Sequence, residues 1–118
     1  MPVAAAGGSF THLIADFIGV KAGQLGDTNL ITGLLIAAAG AAGFTTIGAP
    51  VIRSLPSDGV AAILVLDGCH VAVHAFPDRG LLLLDVLALA TQDPRKALDV
   101  FTRRLSAKEI RSDVRSRG

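Results

Sequence analysis

The chemistry-bearing residues of this 118-residue chain crowd into Leu66-Asp-Gly-Cys-His-Val-Ala-Val-His-Ala-Phe-Pro-Asp-Arg-Gly80, which holds its one cysteine and two of its three histidines. Side chains alternate along a strand, so His70, Ala72, His74 and Phe76 share one face and Cys69, Val71 and Val73 the other. Cys69 and His74 can meet only if Asp67-Gly68-Cys69 is a turn that re-aims the thiol.

Three readings compete. A Cys–His pair would make a thiol nucleophile, but no third orienting group is evident. A metal site on His70 and His74 is set aside. Four residues of strand separate them by about 13 Å at about 3.3 Å per residue, too far to share an ion. The third reading makes Cys69 a small buried hydrophobe and the histidines satisfied groups at a sheet edge. On the residues alone the third weighs most.

The surrounding elements read as strand, helix, several strands, helix, short strand. Phe10 to Ile18 is a strand. Leu30 to Ala42 is a helix capped by Asp27, with Gly43 ending it. Phe44 to Arg53 is a second strand, and 55–59 is a turn. Val60 to Leu66 is a continuous apolar run, expected as a strand buried on both faces. Val71 to Phe76 and Leu81 to Leu89 are further strands around the turn 77–80. Asp93 caps a helix with Pro94 at its first position, running to Leu105 with Ala97, Leu98, Phe101 and Leu105 on one face. A short strand near Lys108 to Arg111 follows. Strands joined by short turns pair antiparallel, so the expected fold class is α+β: a two-layer α/β sandwich, an antiparallel sheet with two helices on one face. The expected organisation is a loose arm over 1–9, one domain over 10–112 and a basic tail over 113–118.

Composition narrows the function classes. Apolar residues make up 51% of the chain, with neither Trp nor Tyr. A chain this greasy buries surface in an oligomer or meets a membrane. Thr28 to Ile52 carries no charge, but Gly43 and Pro50 interrupt it, so a helix followed by a strand fits better than a membrane span. Residues 93–118 carry eight basic and four acidic side chains. No aromatic residues are interleaved for base stacking, which argues against nucleic acid. A single cysteine excludes an internal disulfide and fits a cytoplasmic location.

The central segment resembles the motif Glu-Ser-His-Leu-Thr-Ile-His-Thr-Trp-Pro-Glu-x-Gly of the prokaryotic S-adenosylmethionine decarboxylases. His12-Leu-Ile-Ala-Asp-Phe17, Gly59-Val60, Asp85-Val86 and Asp93-Pro-x-Lys-Ala97 are similar to further motifs of that family. The resemblance implies self-cleavage between Gly68 and Cys69, with Cys69 where the family has the serine that becomes its pyruvoyl cofactor. It implies a processing role for His74, substrate binding by Asp78 and an apolar wall from Phe76. It also implies polyamine (spermidine) biosynthesis, S-adenosylmethionine as the small-molecule ligand, and a homodimer or a paired paralogous subunit. Against the family pattern, Ala61 stands for a processing serine and Leu89 for a proton-donating cysteine. Two outcomes follow: a decarboxylase maturing at Cys69, or a non-catalytic paralogue that binds a nucleoside ligand or pairs with an active subunit.

Overall fold

A computed structural model describes residues 8–118. The chain forms β1 (Phe10–Ile18), α1 (Ala22–Leu25), α2 (Thr28–Ala42), β2 (Val51–Ser54), β3 (Val60–Val65), β4 (His70–Phe76), β5 (Leu81–Leu89), α3 (Arg95–Arg104) and β6 (Glu109–Arg117). The six strands make one sheet in the order β2-β3-β4-β5-β1-β6, every neighbour antiparallel. The α+β sandwich is as expected, with a one-turn helix, α1, added to the two longer ones.

Local signals place the helices. The Asp27 carboxylate accepts the Leu30 N–H at 3.0 Å at the start of α2, satisfying a donor that the first turn leaves free. Gly43, at φ 70°, ends it. The Phe44 N–H reaches back to the Ala39 carbonyl at 2.9 Å, the bond of a glycine-closed helix end. The charge-free stretch 28–52 is therefore a 15-residue helix, a turn and a short strand. No helix among the described residues is long and apolar enough to cross a membrane. At α3, the Asp93 carboxylate accepts the Arg95 N–H at 3.0 Å.

One face of the sheet makes the core. Leu13, Ala15 and Phe17 of β1, Val71, Val73 and Ala75 of β4, and Leu82, Val86 and Ala88 of β5 are buried, facing Ile31, Leu34 and Leu35 of α2 and Phe101 of α3. Removing each such large side chain from water contributes about 1.5–3 kcal/mol. The Phe17 and Phe101 rings meet at 6.3 Å and 51° and tie α3 to β1.

The other face carries no helix. Ile14, Val51, Ile63, Val65, Leu83 and Leu89 are between 36% and 64% exposed, as is Ile47 in the loop before β2. Three elements depart from expectation. β3 is not buried on both sides: Val60, Ala62 and Leu64 face the core, while Ile63 and Val65 face outward. Both sides are apolar, which hides the two-residue period. The second strand is confined to Val51–Ser54, with one bridge from Thr46 to Leu66 ahead of it, because Gly48 and Pro50 interrupt the ladder. Residues 113–118 are not a tail. Residues 113–117 complete β6, a nine-residue strand that pairs with the whole of β1 from Ile18↔Glu109 to Phe10↔Arg117. Its Ile110 and Val114 pack against the core, while charged residues occupy the alternate positions, as suits an edge strand. Of the expected N-terminal arm, residues 1–7 lie outside the described residues; the Ser9 carbonyl accepts the Ala90 N–H at 2.9 Å.

Candidate functional site

The expected turn forms between β3 and β4. Leu66 and Cys69 close it with bonds of 2.9 Å (Leu66 N–H to Cys69 carbonyl) and 3.4 Å (Cys69 N–H to Leu66 carbonyl). Gly68 takes the left-handed conformation at φ 78° while Asp67 does not, the pattern of a type II turn with glycine third. A two-residue connection keeps the strands in step, so Leu66 and Cys69 both point to the helix side. Cys69 is 7% exposed and belongs to the core cluster. Its burial, and secondarily the Asp67 charge, push the thiol above its ordinary value. The thiol stays protonated at neutral pH and is a weak nucleophile there. The turn does not re-aim it toward His74, which lies on the opposite face; within one chain the Cys–His pair is not formed.

His70, His74 and Phe76 do share the open face. The His74 and Phe76 rings stack at 6.3 Å and 17°, and the Arg79 guanidinium lies 5.7 Å from the Phe76 ring centre. Asp78 is exposed in the 3₁₀ turn Pro77–Arg79 that follows. A shallow depression of about 390 Å³ lies over Asp16, His70, His74, Leu83 and Asp85. Beyond Ala72 and His74 a second one, about 240 Å³, runs on over Val51, Arg53, Ala61 and Ile63. Together they form one apolar trough with a few polar groups, the composition usual for a small-molecule site. A larger hollow of about 560 Å³, between the start of α2 and the turn before β3, holds none of the expected site residues.

The open face also carries a cluster absent from the expected site. The Asp85 Oδ1 atom accepts from His12 Nε2 at 2.8 Å and His70 Nε2 at 2.9 Å. The Arg117 guanidinium donates to His12 Nδ1 at 3.3 Å, which puts the His12 proton on Nε2. Four adjacent strands, β4, β5, β1 and β6, are thereby joined side chain to side chain. Burial alone would raise the Asp85 carboxyl; hydrogen bonds from His70 and His12 outweigh it and leave the group below its ordinary value. His12 and His70 both stand opposite Leu87 in register, one strand to either side. That places them diagonal to Asp85, within reach of long side chains.

The positions that differ from the family motif are dispersed. Ala61 pairs directly with His74, away from Cys69 along the same strand. Leu89 is at the far end of β5, opposite Phe10. The expected residues thus fall into two groups: Cys69 and Leu89 at one end of the sheet, and Ala61, His74, Phe76 and Asp78 at the other. Five residues of strand, about 16 Å, separate Cys69 from His74.

The family model for S-adenosylmethionine decarboxylase matches residues 11–118. The S-adenosylmethionine decarboxylase proenzyme of Aquifex aeolicus (strain VF5) is 31% identical over 110 residues, covering 91% of this chain and 79% of that protein. The Archaeoglobus fulgidus proenzyme is 27% identical over 108 residues, covering 91% and 96%. The crystal structure of the adenosylmethionine decarboxylase from Aquifex aeolicus VF5 superposes with a TM-score of 0.85 at 28% identity, over 96% of this chain and 93% of that one. The sheet, the placement of its motifs and these matches agree: the chain belongs to the S-adenosylmethionine decarboxylase family.

Proposed function

We propose that the chain is an S-adenosylmethionine decarboxylase-like protein of cytoplasmic polyamine biosynthesis, working as a pair of identical chains joined through the open faces of their sheets. One observation carries the pairing: Leu89 stands at one end, and Ala61, His74 and Phe76 at the other, of one apolar, uncovered face, with the Cys69 thiol on its core side. A two-fold axis lying between the two stacked faces and running across the strands lays each end over the other end of the second copy, the same patch being used twice. Each site then draws Leu89 from one chain and Ala61, His74, Phe76 and Asp78 from the other, with the turn that carries Cys69 at its edge. The stacked His74 and Phe76 rings offer a flat wall to a purine, the Asp78 carboxylate can accept from ribose hydroxyls, and Asp16 and Asp85 suit a sulfonium cation.

The pyruvoyl cofactor that the family implies would come from Cys69, and the residues around it do not fit its formation. The thiol is in the core and protonated, and Ala61 and Leu89 have no proton to exchange. The burial of Cys69 favours a second reading, a member that binds its nucleoside ligand without turning it over or that pairs with an active paralogous subunit.

Intact-mass measurement of purified protein, with CO₂ release from carboxyl-labelled S-adenosylmethionine, separates the two. Two chains divided between Gly68 and residue 69, with turnover, establish the decarboxylase. A single 12.1 kDa species without turnover, whose melting temperature rises with S-adenosylmethionine, establishes the binding protein. A monomer that neither turns over nor responds to the ligand contradicts both.

A further inference from the structure

β6 is an outer strand of the sheet, and among the described residues nothing pairs with its far side. The ladder fixes which backbone groups that side leaves open. The Ser9 carbonyl accepts the Ala90 N–H, so Ser9 faces β5, and the alternate residues Phe10, His12, Ile14, Asp16 and Ile18 face β6. Their register partners Glu109, Arg111, Asp113, Arg115 and Arg117 bond inward. The N–H and C=O groups of Ile110, Ser112, Val114 and Ser116 therefore point away from the sheet. The Val114 N–H, with no strand to meet, is taken by the Asp113 carboxylate at 2.9 Å.

Charged side chains along an open edge usually deter another strand. Here they are placed so that they deter other strands and fit a second copy of this one. With β6 laid antiparallel against itself and Ser112 opposite Ser112, Glu109 faces Arg115, Ile110 faces Val114 and Arg111 faces Asp113. Every charge then meets its opposite. Centring the pair on Arg111 sets Arg111 on itself and Glu109 on Asp113; centring it on Asp113 sets Asp113 on itself and Arg111 on Arg115. Opposite charges directly across two strands stabilise the pair, and like charges destabilise it. In the Ser112 register the outward groups of Ile110, Ser112 and Val114 make the hydrogen-bonded pairs, and the charged residues fall at the closer positions between them. The Val114 N–H passes to the Ile110 carbonyl of the second copy, which releases the Asp113 carboxylate to Arg111. Within each strand Arg111 keeps Glu109 at 2.7 Å and Arg115 keeps Asp113 at 3.4 Å, so the charges alternate in sign across the whole seam.

We propose that β6 is a self-pairing edge: two copies join antiparallel about Ser112 and continue one sheet from chain to chain. The contact leaves the open face uncovered and is independent of the face-to-face pairing proposed above. It closes at two copies, because both use the same edge. One strand against one strand falls below the roughly 1,200 Å² of stable interfaces, so the association is weak and fills at about 100 µM and above.

The test carries Ile63→Asp throughout, which buries an unpaired carboxylate in any open-face pair, with circular dichroism to check each fold. Sedimentation velocity from about 5 to about 400 µM is expected to show a monomer giving way to a dimer. Arg111→Asp and Asp113→Arg each set like charges opposite one another, and each alone is expected to associate at least tenfold more weakly. Mixed in equal amounts, the two variants meet as opposite charges and are expected to recover the parent association. Cross-linking reads the register separately. Ser112→Cys is expected to form an interchain disulfide on mild oxidation, because opposite residues of a hydrogen-bonded pair lie about 5.5 Å apart at Cα, within disulfide reach. Ser116→Cys places its two copies about 27 Å apart and is expected to cross-link at least tenfold more slowly. A parent that stays monomeric at the highest concentration, variants that associate as the parent does, or a mixture no better than its parts overturns the proposal. Ser116→Cys cross-linking as fast as Ser112→Cys overturns it too. A dimer already complete at the lowest concentration counts against the open-face reading instead, and the two cysteine variants then decide this one.

Discussion

Ile63→Asp tests the open face without touching the core. Ile63 is 36% exposed, outward on β3, directly opposite Val51 and Ala72. Neither neighbour has a charge, and a short Asp side chain does not reach the diagonal Arg53 and His74, about 7–8 Å away in a sheet. In the free chain the new carboxylate remains hydrated, and the fold loses about 1 kcal/mol of strand preference. In the pair it is buried without a partner. Several kcal/mol per ion is the usual penalty; taking about 3 kcal/mol for each of two symmetry-related copies gives about 6 kcal/mol. At about 1.4 kcal/mol per tenfold, the dissociation constant weakens by roughly four orders of magnitude. Sedimentation velocity at micromolar concentration should then show a monomer with an unchanged far-ultraviolet circular dichroism spectrum. A variant that pairs as tightly as the wild type would refute the assignment of this face as the interface.

Phe101→Ala removes a fully buried ring that packs on Phe17; chemical denaturation should show a loss of about 3–5 kcal/mol, the usual cost of such a cavity. Asp85 has a lowered carboxyl value in the fold, so its stabilising contribution is present above the ordinary carboxylate range and is lost as pH falls through the lowered value. Asp85→Asn should accordingly flatten the acid limb of the stability-versus-pH curve below about pH 4. The Cys69 thiol, raised by burial, should react with a disulfide reagent at pH 8 at least tenfold more slowly in the native protein than in denaturant.

The helix ends, the two hairpin turns around β4 and the alternation of His70, His74 and Phe76 were legible from local chemistry, since glycine, proline and aspartate act within a few residues of themselves. What escaped was set by pairing between distant strands. His12 and Asp85 lie 73 residues apart, and only the insertion of β1 between β5 and β6 brings them together. The extent of β6 was masked because its charged residues alternate with only two apolar ones, Ile110 and Val114, which reads as a polar tail when the strand beside it is unknown. β3 misled for the opposite reason, its outward side being as apolar as its inward side. The turn at Gly68 was foreseen from its residue type, but the side to which it delivers Cys69 depends on loop length. Two residues between paired strands return the chain in step, so the thiol follows Leu66 into the core.

Subunit mixing tests most directly whether each site is built from both chains. His74→Ala damages one end of the sheet and Leu89→Arg the other, so a pair of either variant has two defective sites. A mixed pair has one site with both lesions and one with neither. Random pairing of equal amounts should restore about one quarter of the wild-type S-adenosylmethionine binding capacity, measured by equilibrium dialysis. A mixture that binds no more than the two variants do separately would contradict a site shared between chains.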